Sequence, residues 1–559
     1  MPQQSVKKIR RPVPAALWWV LGWLAVQGCT VGLVYYWRVF YYFDRLPALT
    51  LTLIACGLTT ALTLIAWAGI RFVRSYEARA ALCILVCGAL FCFADPPFQA
   101  PDETLHYLRS YSISQGHFDF DYDRTYPDDV ARLLHAFPGA WVTAHTSQGM
   151  GHDANGQAAA YSTKGYALKQ RGEGASVESV ADSFAEYFDA QQQGTQLPPV
   201  HEPIAVMVLP FLPQAAGMAL ARLLGFGALG CLYGARLANL AAYTLLCWLA
   251  LKNCRRYQPV FLAVMLLPLS LFMAASVSYD AALLGFYYLV ASYYCKEEIT
   301  DRDVGIFLFA FVMMNSAKPY INLLWLALPL ILPRKAWKTR WKKWQVFAAG
   351  LVLALGMTFF VTWYGNAFRF HYPTTAFDRM LGEGVVDQMG QLNFILSNPL
   401  RYLAVMVGTL YENGLFLGQL GTFGWLDLPI PLLDLFSPAV LVFAAALSVH
   451  EKSSLRLAPA LGLGGLSVVY IAGAITAMYI TYTPVGMVRV IGLQARYFLP
   501  VFLMLLVLLA ALLSHVLEPR LGDGRKPLHV GLGTSAVFGV LGAVLLAQHY
   551  FIGPVFLIR

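Results

Sequence analysis

Apolar runs of about twenty residues recur from one end of this chain to the other, and each is long enough to cross the hydrocarbon core of a bilayer as a helix. A chain built this way has few options, because lipid satisfies no backbone hydrogen bonds and spanning segments must close their own. Of the 559 residues, 58% are hydrophobic and only 13% are charged. A soluble domain carries about twice that charge. The chain therefore reads as an all-α polytopic membrane protein. The net charge of +9 comes from basic residues in short loops, where they set orientation, and no nucleic-acid partner is implied. The nine cysteines fall in or beside apolar runs and suggest neither a disulfide framework nor a zinc cluster.

The charge rule orders the spans. Lys7, Lys8, Arg10 and Arg11 place the N-terminus in the cytoplasm, and the first run reads as an uncleaved span. Spans are expected near 15–37, 48–70, 80–95, 232–251, 258–276, 280–296, 303–316, 319–333, 346–365, 430–449, 457–480, 497–515 and 528–550, about thirteen in all. The loop Arg334-Lys335-Ala336-Trp337-Lys338-Thr339-Arg340-Trp341-Lys342-Lys343-Trp344 is the strongest cytoplasmic marker. Its tryptophans suit a membrane interface. Two apolar stretches, 201–224 and 400–420, would invert the later loops if they crossed. Both are expected to lie along the outer interface or to re-enter. The organisation follows: an N-terminal hairpin over 1–78, a core over 79–515 with external loops at 96–200 and 366–428, and a last helix within 516–559. The middle of the first external loop, rich in Gly, Ala, Ser and Gln, carries no assignable chemistry. The sequence does not indicate an oligomeric state.

Polar residues at the ends of spans are costly, so each is a functional suspect. The first group follows the third span, in Pro97-Phe98-Gln99-Ala100-Pro101-Asp102-Glu103-Thr104-Leu105-His106-Tyr107-Leu108-Arg109. Pro101 can open a helix, and acidic residues then sit in its first turn, where the helix dipole favours them. Spacings of three and four place Asp102, Glu103, His106 and Arg109 on one face, and Gly116 is a plausible stop. Ordinary capping accounts for acidic residues at a helix start equally well. On the predicted topology the other outward-facing groups are Ser278-Tyr279-Asp280, Lys318-Pro319-Tyr320, Gly421-Thr422-Phe423-Gly424-Trp425 and Gln494-Ala495-Arg496-Tyr497. Asp280 also fits turn chemistry. Lys318 and Arg496 are cations at external span ends, and a bound anion would explain both. Snorkelling is the competing account.

Taken in order, these motifs, with His201-Glu202-Pro203 and Arg236-Leu237-Ala238-Asn239, resemble a bacterial family of predicted polytopic membrane proteins. That family in turn resembles the GT-C glycosyltransferases, whose members include protein O-mannosyltransferases and lipid A aminoarabinose transferases. Two departures stand out. Phe98-Gln99-Ala100-Pro101 separates the Pro-Pro pair from Asp102-Glu103, and Ala495 replaces the usual glycine before Arg496.

The resemblance implies transfer of a sugar from a polyprenyl phosphate to a glycan or glycolipid acceptor on the external side. Asp102 would be the general base, with Glu103 orienting the acceptor or supporting Asp102. His106, Arg109, His201, Tyr279, Asp280, Tyr320, Gln494 and Tyr497 would line the substrate site. Lys318 and Arg496 would hold the donor phosphate, and Trp425 would stack on a sugar. No cofactor is expected, and one acidic pair favours a metal-independent reaction. A transporter of lipid-linked sugars and a non-catalytic envelope-assembly protein are the rival readings.

Overall fold

The computed structural model describes residues 15–40, 44, 46–119, 124–137, 180–197, 200, 208–317, 321–367, 386–424, 428–449, 457–516 and 525–552. His201, Lys318, Tyr320 and Trp425 fall outside these residues. The chain divides into two compact units, residues 1–82 and 83–559, with the boundary inside one helix.

In the first unit, α1 (Ala15–Phe40) and α2 (Ala48–Phe72) form a hairpin. The Trp23 indole donates to Thr60 at 3.1 Å and the Gln27 amide donates to Thr59 at 3.1 Å. Polar side chains inside an apolar pair are satisfied by one another, as lipid requires. Helix α3 (Tyr76–Ala94) runs across the boundary.

The second unit continues with α4 (Glu103–Ser114), α5 (Asp128–Ala136), α6 (Val180–Gln193), α7 (Leu212–Leu223), α8 (Ala228–Asn253), α9 (Gln258–Met265), α10 (Pro268–Ala274), α11 (Asp280–Tyr294) and α12 (Asp301–Ala317). After a 3-10 stretch at Ile321–Ala327 come α13 (Leu328–Ile331), α14 (Lys343–Ala367), α15 (Gln388–Ser397) and α16 (Pro399–Glu412). Strands β1 (Thr422–Phe423) and β2 (Leu428–Pro429) pair antiparallel. Helices α17 (Pro431–Leu447), α18 (Leu457–Thr481), α19 (Leu499–Val516) and α20 (Arg525–Ala547) complete the chain.

Among the described residues, eight helices are long and apolar enough to cross a membrane, and a ninth span results if α9 and α10 count as one bent element. This is a multi-pass membrane protein. Four segments expected as spans are shorter. Helix α11 has 15 residues, α12 has 17 and α17 has 17, and the stretch near 319–333 is a 3-10 turn followed by a short helix. A straight crossing needs about 20 residues. The stretches at 201–224 and 400–420 hold α7, of 12 residues, and α16, of 14, also below that length.

Helix α7 packs on α8 by close backbone approach. A Cβ on Gly217 would lie 2.2 Å from the Gly234 carbonyl oxygen, so only glycine fits there.

The core lies around α9–α11. From Tyr257 to Cys295 every residue is buried except Tyr279. Helices α9 and α10 meet at 73°. Pro268 lacks an N–H and forces Leu267 into an extended conformation (ψ 134°). Beside the break, the Tyr243 hydroxyl donates to the Met265 carbonyl at 2.9 Å. The bend delivers the turn 275–280, with Tyr279 and Asp280, to the loop that precedes α4.

Candidate functional site

The loop 95–102 joins α3 to α4. Two of its residues, Phe98 (φ 63°) and Asp102 (φ 59°), have left-handed backbones without being glycine. Such residues persist only where their surroundings hold them. Phe98 is fully buried, edge-on to Tyr107 at 5.3 Å. Asp102 sits at the N-terminus of α4 with its side chain 46% exposed. At the other end of α4, Gly116 (φ 87°) and the His117 N–H to Ser112 carbonyl bond stop the helix, as expected.

Arg236, in the middle of α8, holds this loop. Its Nε donates to Glu103 Oε1 at 2.9 Å and its Nη2 to Glu103 Oε2 at 2.7 Å. Nη2 also reaches Asp95 Oδ2 at 3.1 Å. The carbonyls of Cys92, Asp95 and Pro96 accept the remaining bonds. The Val277 N–H donates to Glu103 Oε1 at 2.7 Å. One turn further along α8, Asn239 donates to the Ser276 and Ser278 carbonyls at 2.9 Å each. A single stretch of α8 thus fixes both the 95–103 loop and the 276–278 turn. Burial pushes the Asp95 carboxyl well above its usual range, with Arg236 pulling the other way.

This corrects the expected division of labour on α4. Glu103 is fully buried in its pair with Arg236 and is a strut, not a group open to substrate. Arg109 is also buried, and its guanidinium is spent on the carbonyls of Phe118 and Asp119 at 2.9 Å each and on the Tyr364 hydroxyl at 3.4 Å. It stabilises the turn after α4. Only Asp102 and His106 of the four face the site.

Arg496 lies opposite. Its Nη1 is 3.3 Å from Asp280 Oδ2 and its Nη2 is 3.9 Å from Asp102 Oδ2. The Arg496 side chain is only 9% exposed. Its Nη2 also approaches the Tyr497 hydroxyl at 3.4 Å. Arg496 Nε and Gln494 Oε1 are buried and have no partner among the described residues. Both residues line a small pocket, together with Pro101, Phe272, Met273 and Gln419. His106 completes the group, with its ring 4.9 Å from that of Tyr279 and 5.4 Å from that of Phe211. Burial lowers its pKa below 6.5, while Asp102 and Asp280 pull it up. Among the described residues, no three His, Cys, Asp or Glu side chains gather as metal ligands would.

Asp102, Asp280 and Arg496, far apart in sequence, therefore meet around the Arg496 guanidinium, which lines the pocket with Gln494. His106, Tyr279 and Tyr497 lie beside them. Arg236 and Asn239 belonged to a recognised motif but had no assigned role. Gln419, whose Oε1 accepts the Ala495 N–H at 3.2 Å, was not anticipated. The available signal for Arg236 was a lone arginine inside an apolar helix, which is costly unless paired.

A family model described as a predicted membrane protein (DUF2142) matches residues 85–506. The chain belongs to the DUF2142 family. No curated protein and no solved structure matches it. The DUF2142 region contains all of the site residues described above, whereas α1, α2 and α20 lie outside it.

Proposed function

We propose that this DUF2142 protein is a membrane glycosyltransferase of GT-C type. It takes a sugar from a polyprenyl phosphate and passes it to a glycan or glycolipid acceptor. The observation that carries this reading is the pairing of an accessible carboxylate, Asp102, with a buried cation, Arg496, that lines a small pocket. Two buried polar atoms there, Arg496 Nε and Gln494 Oε1, await partners. Buried polar groups are rarely left unsatisfied, so such atoms in a cavity point to a ligand.

In the proposed reaction the acceptor hydroxyl oxygen attacks the anomeric carbon. The bond from that carbon to the phosphate oxygen breaks, and its electron pair leaves with the prenyl phosphate. Asp102 takes the hydroxyl proton, and the configuration inverts. A phosphate leaving group needs little acid assistance, so one carboxylate suffices. Arg496 stabilises the leaving phosphate, joined by Lys318. Gln494 Oε1 accepts from a sugar hydroxyl. His106, Tyr279 and Tyr497 shape the acceptor side. His201, Tyr320 and Trp425 keep the substrate-binding roles that the resemblance implies. In this reading the short helices α11, α12 and α17 and the stretch near 319–333 cross in protein-lined surroundings, giving about thirteen crossings. The N-terminus lies in the cytoplasm, and the site faces outward from the bacterial inner membrane.

A transfer assay in proteoliposomes with a panel of polyprenyl-phosphate sugars tests the reading. Wild type should release prenyl phosphate, and Asp102→Asn should not, while melting as wild type does. Release by both would move the base elsewhere. Movement of intact donor across the bilayer without release would replace the enzyme by a transporter.

A further inference from the structure

The loop between α13 and α14 has no part in the site described above. Residues 334–344 contain six basic residues, three tryptophans and no acidic residue. The loop is built as a fixed surface. The Ile299 N–H donates to the Ala336 carbonyl at 2.7 Å and the Lys338 N–H donates to the Ile299 carbonyl at 3.0 Å. The Asp301 carboxylate accepts the Thr339 hydroxyl and, at 3.1 Å, the Arg340 N–H. The Trp337 indole donates to the Trp341 carbonyl at 2.6 Å, and Gln345 accepts the Lys342 N–H at 2.8 Å.

The fixed backbone displays aromatic and cationic side chains at the surface. Trp341 and Trp344 are 43% and 63% exposed. Lys335, Lys338 and Lys342 are exposed and form no ion pair among the described residues, whereas Arg340 meets Asp301 at 3.3 Å. The apolar span Lys343–Tyr364 begins directly after them. Exposed tryptophans beside cations at the mouth of a span match the headgroup layer of a bilayer, where indoles settle and lysines meet anionic lipid.

We propose that this loop is a docking surface for the headgroup of an anionic phospholipid. Lys335, Lys338 and Lys342 contact the phosphate, and Trp341 and Trp344 enter the interface around it. The inference is independent of the glycosyltransferase reading.

The test uses the full chain, delipidated in detergent and offered equal amounts of phosphatidylglycerol and phosphatidylcholine, with bound lipid counted by native mass spectrometry. Wild type should retain phosphatidylglycerol preferentially. The triple variant Lys335→Gln/Lys338→Gln/Lys342→Gln should lose at least about fivefold of that preference, the effect of one interfacial lysine. The corresponding triple arginine variant should keep it. The glutamine variant should melt as wild type, because the three lysine side chains hold nothing in place. Equal retention of both lipids by wild type, or an unchanged preference in the glutamine variant, would overturn the proposal. Displacement of the lipid by excess inorganic phosphate would also overturn it, in favour of a free-anion site.

Discussion

Arg236 and Glu103 stand 133 positions apart and meet through two hydrogen bonds of 2.9 and 2.7 Å, with neither side chain open to solvent. The same carboxylate oxygen that receives Arg236 Nε receives the Val277 N–H. The pair is the joint between the loop carrying Asp102 and the turn carrying Asp280.

Removing one partner of a buried pair strands the other. Arg236→Met should cost about 3–5 kcal/mol and lower folded yield. Glu103→Gln keeps the shape and one of the two acceptor oxygens and should cost less, about 1–3 kcal/mol. Thermal unfolding in detergent gives the comparison, and a wild-type melting temperature for Arg236→Met would contradict the strut.

Asp102 should respond to backbone chemistry as well as to charge. Glycine suits a φ of 59°, so Asp102→Gly should melt at or above wild type. A β-branched residue is strained there, and Asp102→Val should lose about 1–3 kcal/mol. Equal melting temperatures for the two variants would mean that the left-handed turn is not retained in solution.

His106 predicts a pH dependence whose sign can be worked out. Burial lowers its pKa in the folded state below 6.5, against the pull of Asp102 and Asp280. The unfolded chain then binds the proton more readily. Stability is fully present above 6.5. It falls as the pH drops, and the loss is complete once the pH passes below the folded pKa. His106→Gln should flatten this part of a plot of melting temperature against pH. A slope unchanged in that variant would assign the acid sensitivity to another group.

Asp280 competes with any anion for Arg496. Asp280→Asn should therefore tighten binding of prenyl phosphate several-fold, and Arg496→Met should abolish it, read as inhibition constants in the transfer assay. Weaker binding in Asp280→Asn would show instead that Asp280 orients the guanidinium for its ligand.

The long spans were legible because twenty consecutive apolar residues admit one outcome in lipid. The short helices α11 and α12 were also placed, near 280–296 and 303–316, because the charged run from Lys296 to Asp303 separates them. The turn before α11 was not legible in its contacts, since Asn239 of α8 holds it. Asp102, Asp280 and Arg496 could each be chosen from sequence as charged groups at span ends, yet their convergence depends on the bend before α10. Helical spacing correctly grouped Asp102 with His106 but misjudged Glu103 and Arg109. Spacing gives the position of a Cβ, whereas the direction of a long side chain follows its partners. Those partners, Arg236 and the carbonyls near Phe118, come from other parts of the chain.

The bend between α9 and α10 also bears on how the protein enters its membrane. A backbone carbonyl left unclaimed in hydrocarbon costs several kcal/mol, and the hydroxyl on the Met265 carbonyl belongs to Tyr243 of the preceding helix. Synthesis runs from the N-terminus, so Tyr243 leaves the ribosome before Met265. The broken segment is thus suited to insertion beside α8, as a two-helix event, rather than as a solitary stretch released into lipid.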